Sequence, residues 1–300
     1  MKGEQFIHSL FLLVLMAKVT AQEAHVAPLP ASWPAYAKYK DKLYIYSGTA
    51  HEDQFGRNSI STGQFFALDL SKAWNSTMPE WIKLPEGPAN EYLSGAISLD
   101  GKVFMTFRNQ IEPDHWYSFE KNSWAPFNHS LSVNGAVQYP VTLGTDGSVL
   151  VVGGYDDDYA KKVSADENVY LIYSATTGRG VTRALPPYGI NGTPVLPARG
   201  SYKAAWSDHL KSAVFYGGWN PSVDENLDQW VSLYHPETKK WKLLQTSGIN
   251  SKTSEEHCVA ITDDGKKLLS YGGRAQTADV GITYTSALEN NRAGQQPDLQ

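Results

Sequence analysis

Cysteine is almost missing from this 300-residue chain: Cys258 stands alone. A disulfide framework is therefore excluded, and the fold must be held by its core. A chain of this length is large enough to build one. Net positive charge is missing as well. The chain has 26 Lys and Arg against 31 Asp and Glu, a net of −5, which removes the electrostatic footprint of a nucleic-acid binder. No apolar run is long enough to cross a bilayer, which takes about 20 residues. The apolar run Leu10 to Ala17 follows Lys2 and precedes the small residues Val19-Thr20-Ala21. This order predicts a secretory signal over 1–21, cleaved after Ala21, and not an anchor, because His8, Ser9 and Lys18 crowd the run. Cleavage takes away two lysines and one glutamate and leaves the mature chain at −6. A clean helical stripe is absent from every window of a dozen residues after that point.

Aromatics and turn formers are abundant: 9 Trp, 17 Tyr, 10 Phe, 25 Gly and 16 Pro. Many short strands joined by turns use residues in this way. A phrase also recurs: a short apolar strand, a Gly pair, a long polar loop, a second strand, then a tryptophan. The clearest copy runs from Ser212 through Gly217-Gly218 to Trp230–His235 and Trp241. Others are Ser148 to Gly153-Gly154, then Asn168–Tyr173, and Asp264 to Gly272-Gly273, then Gly281–Tyr284. Two copies are degenerate. Lys42–Tyr46 is followed by Ser47-Gly48, with Phe65–Asp69 and Trp81 beyond, and Asp100–Thr106 lacks the pair but continues through Trp116 to Trp124. Gly154, Gly218 and Gly273 lie 64 and 55 residues apart, near the ~50-residue kelch period with loop insertions.

On these motifs, residues 36–288 resemble the kelch-repeat β-propeller family. The resemblance implies an all-β fold with four-stranded blades around a central channel. Five blades are recognisable, near 36–92, 93–136, 137–194, 195–251 and 252–300, the last without its closing tryptophan and fourth strand. The family usually has six or seven blades, so the chain reads as an incomplete propeller. A five-bladed ring whose last blade is finished by a strand from the N-terminal segment 22–35 is the other arrangement. Residues 289–300 form a polar tail. Asn75, Asn128 and Asn191 begin glycosylation sequons, consistent with secretion.

The resemblance also brings in galactose oxidase and its relatives, which hold copper with two His and two Tyr, one Tyr crosslinked to a Cys. Tyr234-His235 is the only adjacent Tyr-His pair, and Cys258, beside His257, is the only thiol available for such a crosslink. Repeat position explains them otherwise. Tyr234-His235-Pro236 fills the slot of a Tyr-Asp-Pro turn, and Cys258 is expected to point into its sheet as a small apolar residue. Neither a catalytic residue, a metal ligand nor a cofactor is assigned. The acidic run Asp156-Asp157-Asp158 lacks the spaced oxygens of a calcium loop, and no nucleophile-elbow, zinc-protease or phosphate-loop motif occurs.

Binding is better supported. The loops after the Gly pairs are expected on one face: His51-Glu52-Asp53, Glu112 to His115, Asp156 to Tyr159, Trp219 to Asp228 and Arg274 to Asp279. That face is acidic, with aromatics Trp116, Tyr155, Tyr159 and Trp219, a mixture typical of partner surfaces. The candidate contact residues are Trp219, Tyr155, Asp156, Asp157, Asp158 and Glu225. The sequence thus reads as a secreted or cell-surface propeller that binds a protein or glycan without catalysis. The alternatives are a copper-radical oxidase relative acting on primary alcohols or sugars, and a structural wall or matrix module.

Overall fold

The computed structural model describes residues 27–32, 34–51, 59–73, 79–90, 93–107, 114–127, 138–153, 169–172, 181–183, 203–217, 230–245, 254–255, 258–262, 264–271, 274–275, 278–279 and 284–287. All the regular structure among them is strand. None of their segments is a helix long and apolar enough to cross a membrane.

The strands come in five consecutive groups. The first holds β1 (Ala31–Ser32), β2 (Ala35–Tyr39), β3 (Lys42–Tyr46), β4 (Thr49–His51), β5 (Ser59–Ser61), β6 (Phe65–Asp69) and β7 (Trp81–Leu84). The second holds β8 (Ser94–Ile97), β9 (Val103–Phe107), β10 (Asp114–Ser118) and β11 (Ser123–Phe127). The third is β12 (Gln138–Thr142), β13 (Val149–Gly153), β14 (Val169–Ile172) and β15 (Val181–Arg183). The fourth is β16 (Lys203–Ser207), β17 (Ser212–Tyr216), β18 (Trp230–His235) and β19 (Lys240–Gln245). The fifth is β20 (Ser254–Glu255), β21 (Cys258–Ile261), β22 (Lys267–Tyr271), β23 (Arg274–Ala275), β24 (Ala278–Asp279) and β25 (Tyr284–Ala287).

Four groups each make a four-stranded antiparallel meander: β2-β3-β6-β7, β8-β9-β10-β11, β12-β13-β14-β15 and β16-β17-β18-β19. The fifth contributes β21-β22-β25. Successive sheets meet through their first strands, β2 with β8, β8 with β12, β12 with β16 and β16 with β21. This is a propeller-like, all-β architecture.

The second strands of the second and fourth sheets are covered on both faces. Val103–Phe107 and Ser212–Tyr216 are buried at every position. Between the first two sheets, Tyr44, Tyr46, Phe65, Phe104 and Tyr117 form one cluster with Trp124 and Phe119 at its margin. Phe65 and Phe104 rings are 5.1 Å apart, and Tyr46 lies 4.2 Å from Trp124. Each such side chain contributes about 1.5–3 kcal/mol by leaving water. A second cluster joins Met105 and Phe107 to Val149 and Val151, and a third joins Val214 and Leu233 to Leu268. Stacking between sheets makes the core, as it must where one sheet cannot bury both of its faces alone.

The tight turns repeat too. A left-handed residue sits between the first two strands of every sheet: Lys40, Gly101, Gly147, Lys211 and Gly265. Beside the three glycines an aspartate side chain accepts from the backbone ahead, as in Asp146 Oδ1 with Ser148 N at 2.9 Å and Asp264 Oδ1 with Lys266 N at 3.0 Å. These are Asx turns, which fix the reversal locally.

One expectation is corrected. Residues 31–35 do not finish the last sheet. Ala31 and Ser32 pair with Ala50 and Thr49, and Ala35 already belongs to the innermost strand of the first sheet, paired with Tyr46.

Candidate functional site

The ends of the sheets differ. In an antiparallel meander, the connections from strand one to two and from three to four leave at one end, and all others leave at the opposite end. The first kind are mostly short: 40–41, 119–122, 208–211 and 236–239. The second kind include 47–64, 154–168, 184–202 and 217–229.

The short turns are stacked from sheet to sheet, so their ends all point the same way. A Cβ on Gly101 would fall 2.1 Å from the Tyr39 ring, one on Gly265 2.4 Å from His209 Cβ, and one on Gly147 3.2 Å from Leu99 Cβ. Ser207 Oγ donates to Gly265 O at 3.0 Å. The long connections therefore share the other end, and this loop end is the candidate surface.

Its base is best defined on the first sheet. Ser47 occupies the first slot of the Gly pair with φ +62°, and Gly48 follows at φ +98°. The slot needs a left-handed backbone, which glycine adopts freely and serine does at a cost. Ser47 compensates with hydrogen bonds. Its fully buried hydroxyl donates to Thr62 O at 2.7 Å and contacts Asn90 O, while Asn90 N donates back to it at 3.1 Å. Gly48 is pressed on by β1, since a Cβ there would lie 2.8 Å from Ser32 O. Gln64 holds Leu29 at both backbone atoms, at 2.8 and 2.9 Å. On this footing β1, β4 and β5 form a small three-stranded sheet, with Ile60 and Leu29 exposed.

The fifth group repeats this elaboration as β20-β23-β24. The register matches. Ser32, Thr49 and Ser61 form one row across the first small sheet, and Glu255, Arg274 and Asp279 form the corresponding row across the other.

A second grouping lies where the first strands converge. Tyr36 on β2 is electrostatically influenced by Cys258 on β21, and Lys203 Nζ on β16 stands 5.9 Å from the Tyr36 ring centroid. Burial, followed by the neighbouring thiol, pushes the Tyr36 hydroxyl well above its usual range, so it stays a protonated donor. Cys258 is exposed, not turned into its sheet as expected.

The other candidates separate. Trp219, Tyr155, Asp156, Asp157, Asp158, Glu225 and His257 lie outside the described residues, as do Asn75, Asn128 and Asn191 and the segments 1–26 and 288–300. Trp116 is not a loop aromatic: it sits in β10 and packs against the Met105 and Phe107 cluster. Asp114, expected in a loop, begins that strand and is buried.

Tyr234 and His235 do not converge on one point, because successive strand residues face opposite sides. Tyr234 is 1% exposed against Trp241, ring centroids 5.1 Å apart. His235 Nδ1 meets Ser212 Oγ at 2.7 Å, at the turn end, whereas Cys258 pairs with Tyr271 at the loop end. Burial, then Lys242, lowers the His235 pKa. Among the described residues, no three His, Cys, Asp or Glu side chains gather as metal ligands.

The Tyr36 grouping was missed because its members belong to different repeats. The repeated first strand was the only available signal for it. Comparison with known proteins adds no name: no family model and no curated protein matches the chain.

Proposed function

We propose that the chain is a kelch-type propeller, secreted or cell-surface, that binds a protein or glycan at its loop end and performs no chemistry there. The asymmetry of the two ends carries this reading. The turn end is locked by stacking, whereas the loop end combines long connections with a firm base and exposed Ile60 and Leu29. Rigid scaffolds that present long loops in this way are built for recognition. The acidic loop residues Asp156, Asp157, Asp158 and Glu225, with Trp219 and Tyr155, are the proposed contacts.

The test is binding of the labelled secreted chain to a glycan array and to intact cells. Ile60→Glu, at the loop end, is expected to weaken capture at least tenfold. Leu99→Glu, exposed at the turn end, is expected to leave it unchanged. Equal effects of the two, or none from either, would overturn the reading.

One observation bears on the oxidase alternative: the single cysteine, Cys258, influences the Tyr36 hydroxyl electrostatically. That reading requires stoichiometric copper after loading and peroxide production from primary alcohols or sugars. It also requires an intact mass two hydrogens lighter, from joining the Tyr36 ring to Cys258 sulfur while oxygen is reduced to peroxide. Failure of all three leaves the binding reading alone.

A further inference from the structure

The first sheet loses a strand toward the loop end. Its base is four strands wide, β2-β3-β6-β7. β1, β4 and β5 continue the lines of β2, β3 and β6, since Ala35 pairs with Tyr46 and Ser32 with Thr49. Between the two parts, Ser47 N donates to Gln64 O at 2.7 Å and Thr62 N donates to Gly48 O at 3.0 Å. The line of β7 is not continued in this way among the described residues. Gly87 N still donates to Gly63 O at 2.9 Å and Asn90 N to Thr62 O at 3.3 Å, and the chain then enters β8. β5 is thus the last strand of the small sheet, with one side that no described strand covers.

Taking the loop end as the recognition surface, we propose that this open side docks an extended peptide segment of a protein partner, added to β5 as the strand that β7 does not supply. The main chain there is set for it. Thr62 N–H is directed at Gly48 O, so the alternation of an antiparallel ladder turns the N–H and C=O of Ile60 toward Ala50. Those of Ser59 and Ser61 face the open side. An uncovered strand edge is a template for another chain. Three residues give it a length of about 10 Å. Ile60, at its centre, is 50% exposed, and a side chain on the same face of an incoming strand would cover it.

The opposite edge of the small sheet is treated differently. Pro28 and Pro30 flank the clasped Leu29 and lack the N–H that a further strand would need. Ser59, Ile60 and Ser61 include neither a proline nor a charge. At the position matched to Ser61, the fifth group has Asp279, a charged residue that guards its edge. The chain's own segment 27–32 shows how an extended peptide is seated here. Gln64 and β4 hold its main chain, while the Leu29 side chain is turned outward. Size decides between a peptide and a second copy of the chain. A stable interface between folded proteins buries about 1,200–2,000 Å², and a three-residue edge offers a small part of that. A peptide held by main-chain hydrogen bonds needs no more.

The probe is a phage-displayed library of random linear peptides, selected on the full chain, with the enriched peptides then synthesised. Ser61→Pro removes an open-side N–H and no bond to β4, and puts a ring in the way of an added strand; edge strands accept proline. It is expected to keep the unfolding midpoint within about 2 °C of the parent and to weaken peptide capture at least tenfold. N-methylation along an enriched peptide is expected to abolish capture at alternate residues and spare those between, the signature of strand addition. No enriched peptide, or undiminished capture by folded Ser61→Pro, would overturn the proposal. So would a dimer of the parent that Ser61→Pro dissolves, since the occupant would then be a second copy. If Ser61→Pro does not fold, the methylation pattern decides, and a pattern without alternation sinks strand addition. Glycan or cell capture that Ile60→Glu weakens, without any enriched peptide, would leave the loop end as the recognition surface and remove only the peptide.

Discussion

Substituting Gly87 by alanine tests the account of how the loop end is held. Gly87 lies in the connection between the first two sheets, and its N–H donates to Gly63 O at 2.9 Å. A Cβ there would stand 2.6 Å from the Tyr46 hydroxyl and 2.7 Å from Trp124 Cε2. Neither ring can withdraw cheaply. Tyr46 is fully buried and its hydroxyl donates to Pro88 O, and Trp124 Nε1 donates to Pro85 O at 2.9 Å. The φ of Gly87 is not left-handed, so the effect is one of packing alone. Overpacking costs about 1–3 kcal/mol, and breaking one of these hydrogen bonds adds about 1 kcal/mol. Gly87→Ala is therefore expected to lose about 2–4 kcal/mol, read by denaturant unfolding followed through tryptophan fluorescence. Trp124→Leu opens the same space, so the double variant should fall short of the sum of the singles by about 1 kcal/mol or more. A loss below about 0.5 kcal/mol, with additive singles, would refute the packing described between these loops and the aromatic cluster.

Gly147→Ala meets only the exposed Leu99 and isolates the cost of a left-handed alanine at φ +75°, about 1–2 kcal/mol; denaturant melts should place it below Gly87→Ala. Lys211→Gly relieves the same kind of strain at φ +49° and should stabilise by about 0.5 kcal/mol, a sign reversal visible in Tm. His235 is harder to protonate in the folded chain than in the unfolded one, because of burial and then Lys242. The stability of its neutral form is thus present above the unfolded histidine range near 6.5 and is lost as pH falls below it. Stability of His235→Gln should decline less between about pH 7 and pH 5 than that of the parent. Asp100 and Asp264 are held below the usual carboxylate range, chiefly by the Ser98 and Thr262 hydroxyls. Their contribution is present above about pH 4 and lost in more acidic solution, so the Asp100→Asn, Asp264→Asn double variant should show a shallower acid limb in unfolding titrations.

Strands were legible where apolar runs were bounded by turn residues. The runs Lys42–Tyr46, Phe65–Asp69, Ser212–Tyr216 and Trp230–His235 are all strands in the fold. Ser212–Tyr216 is buried on both faces, and such a run needs no partner to reveal it. The role of Ser47 was only half legible. It appeared as a degenerate glycine, and its hydrogen bonds to Thr62 and Asn90 depend on loops that arrive from elsewhere. Trp116 was misplaced because the second repeat lacks the Gly pair that marks where its loop begins. Cys258 was misplaced because the repeat pattern gives alternation along a strand but not what covers each face. Tyr36, whose hydroxyl Cys258 influences, lies near the other end of the sequence, and no local signal joins the two.

The two ends of the molecule are under opposite constraints, and this is what ties the fold to recognition. At the turn end, the second, third and fifth sheets each place a left-handed glycine against the preceding sheet, so a change in one of these turns is felt by its neighbour. Gly101 cannot gain a methyl group without moving Tyr39, nor Gly265 without moving His209. At the loop end, Ser47, Gly48 and Gln64 fasten the roots of 47–64 on the first sheet. Residues beyond those roots can change in length and chemistry without disturbing the stack. The matched rows Ser32, Thr49, Ser61 and Glu255, Arg274, Asp279 show the outcome: one backbone elaboration carries hydroxyls on the first sheet and charges on the fifth. Exchanging the charged row for the hydroxyl row should therefore change binding while leaving the unfolding midpoint within about 0.5 kcal/mol of the parent. A large loss of stability from that exchange would mean that the charged row is part of the scaffold and that the recognition surface lies elsewhere.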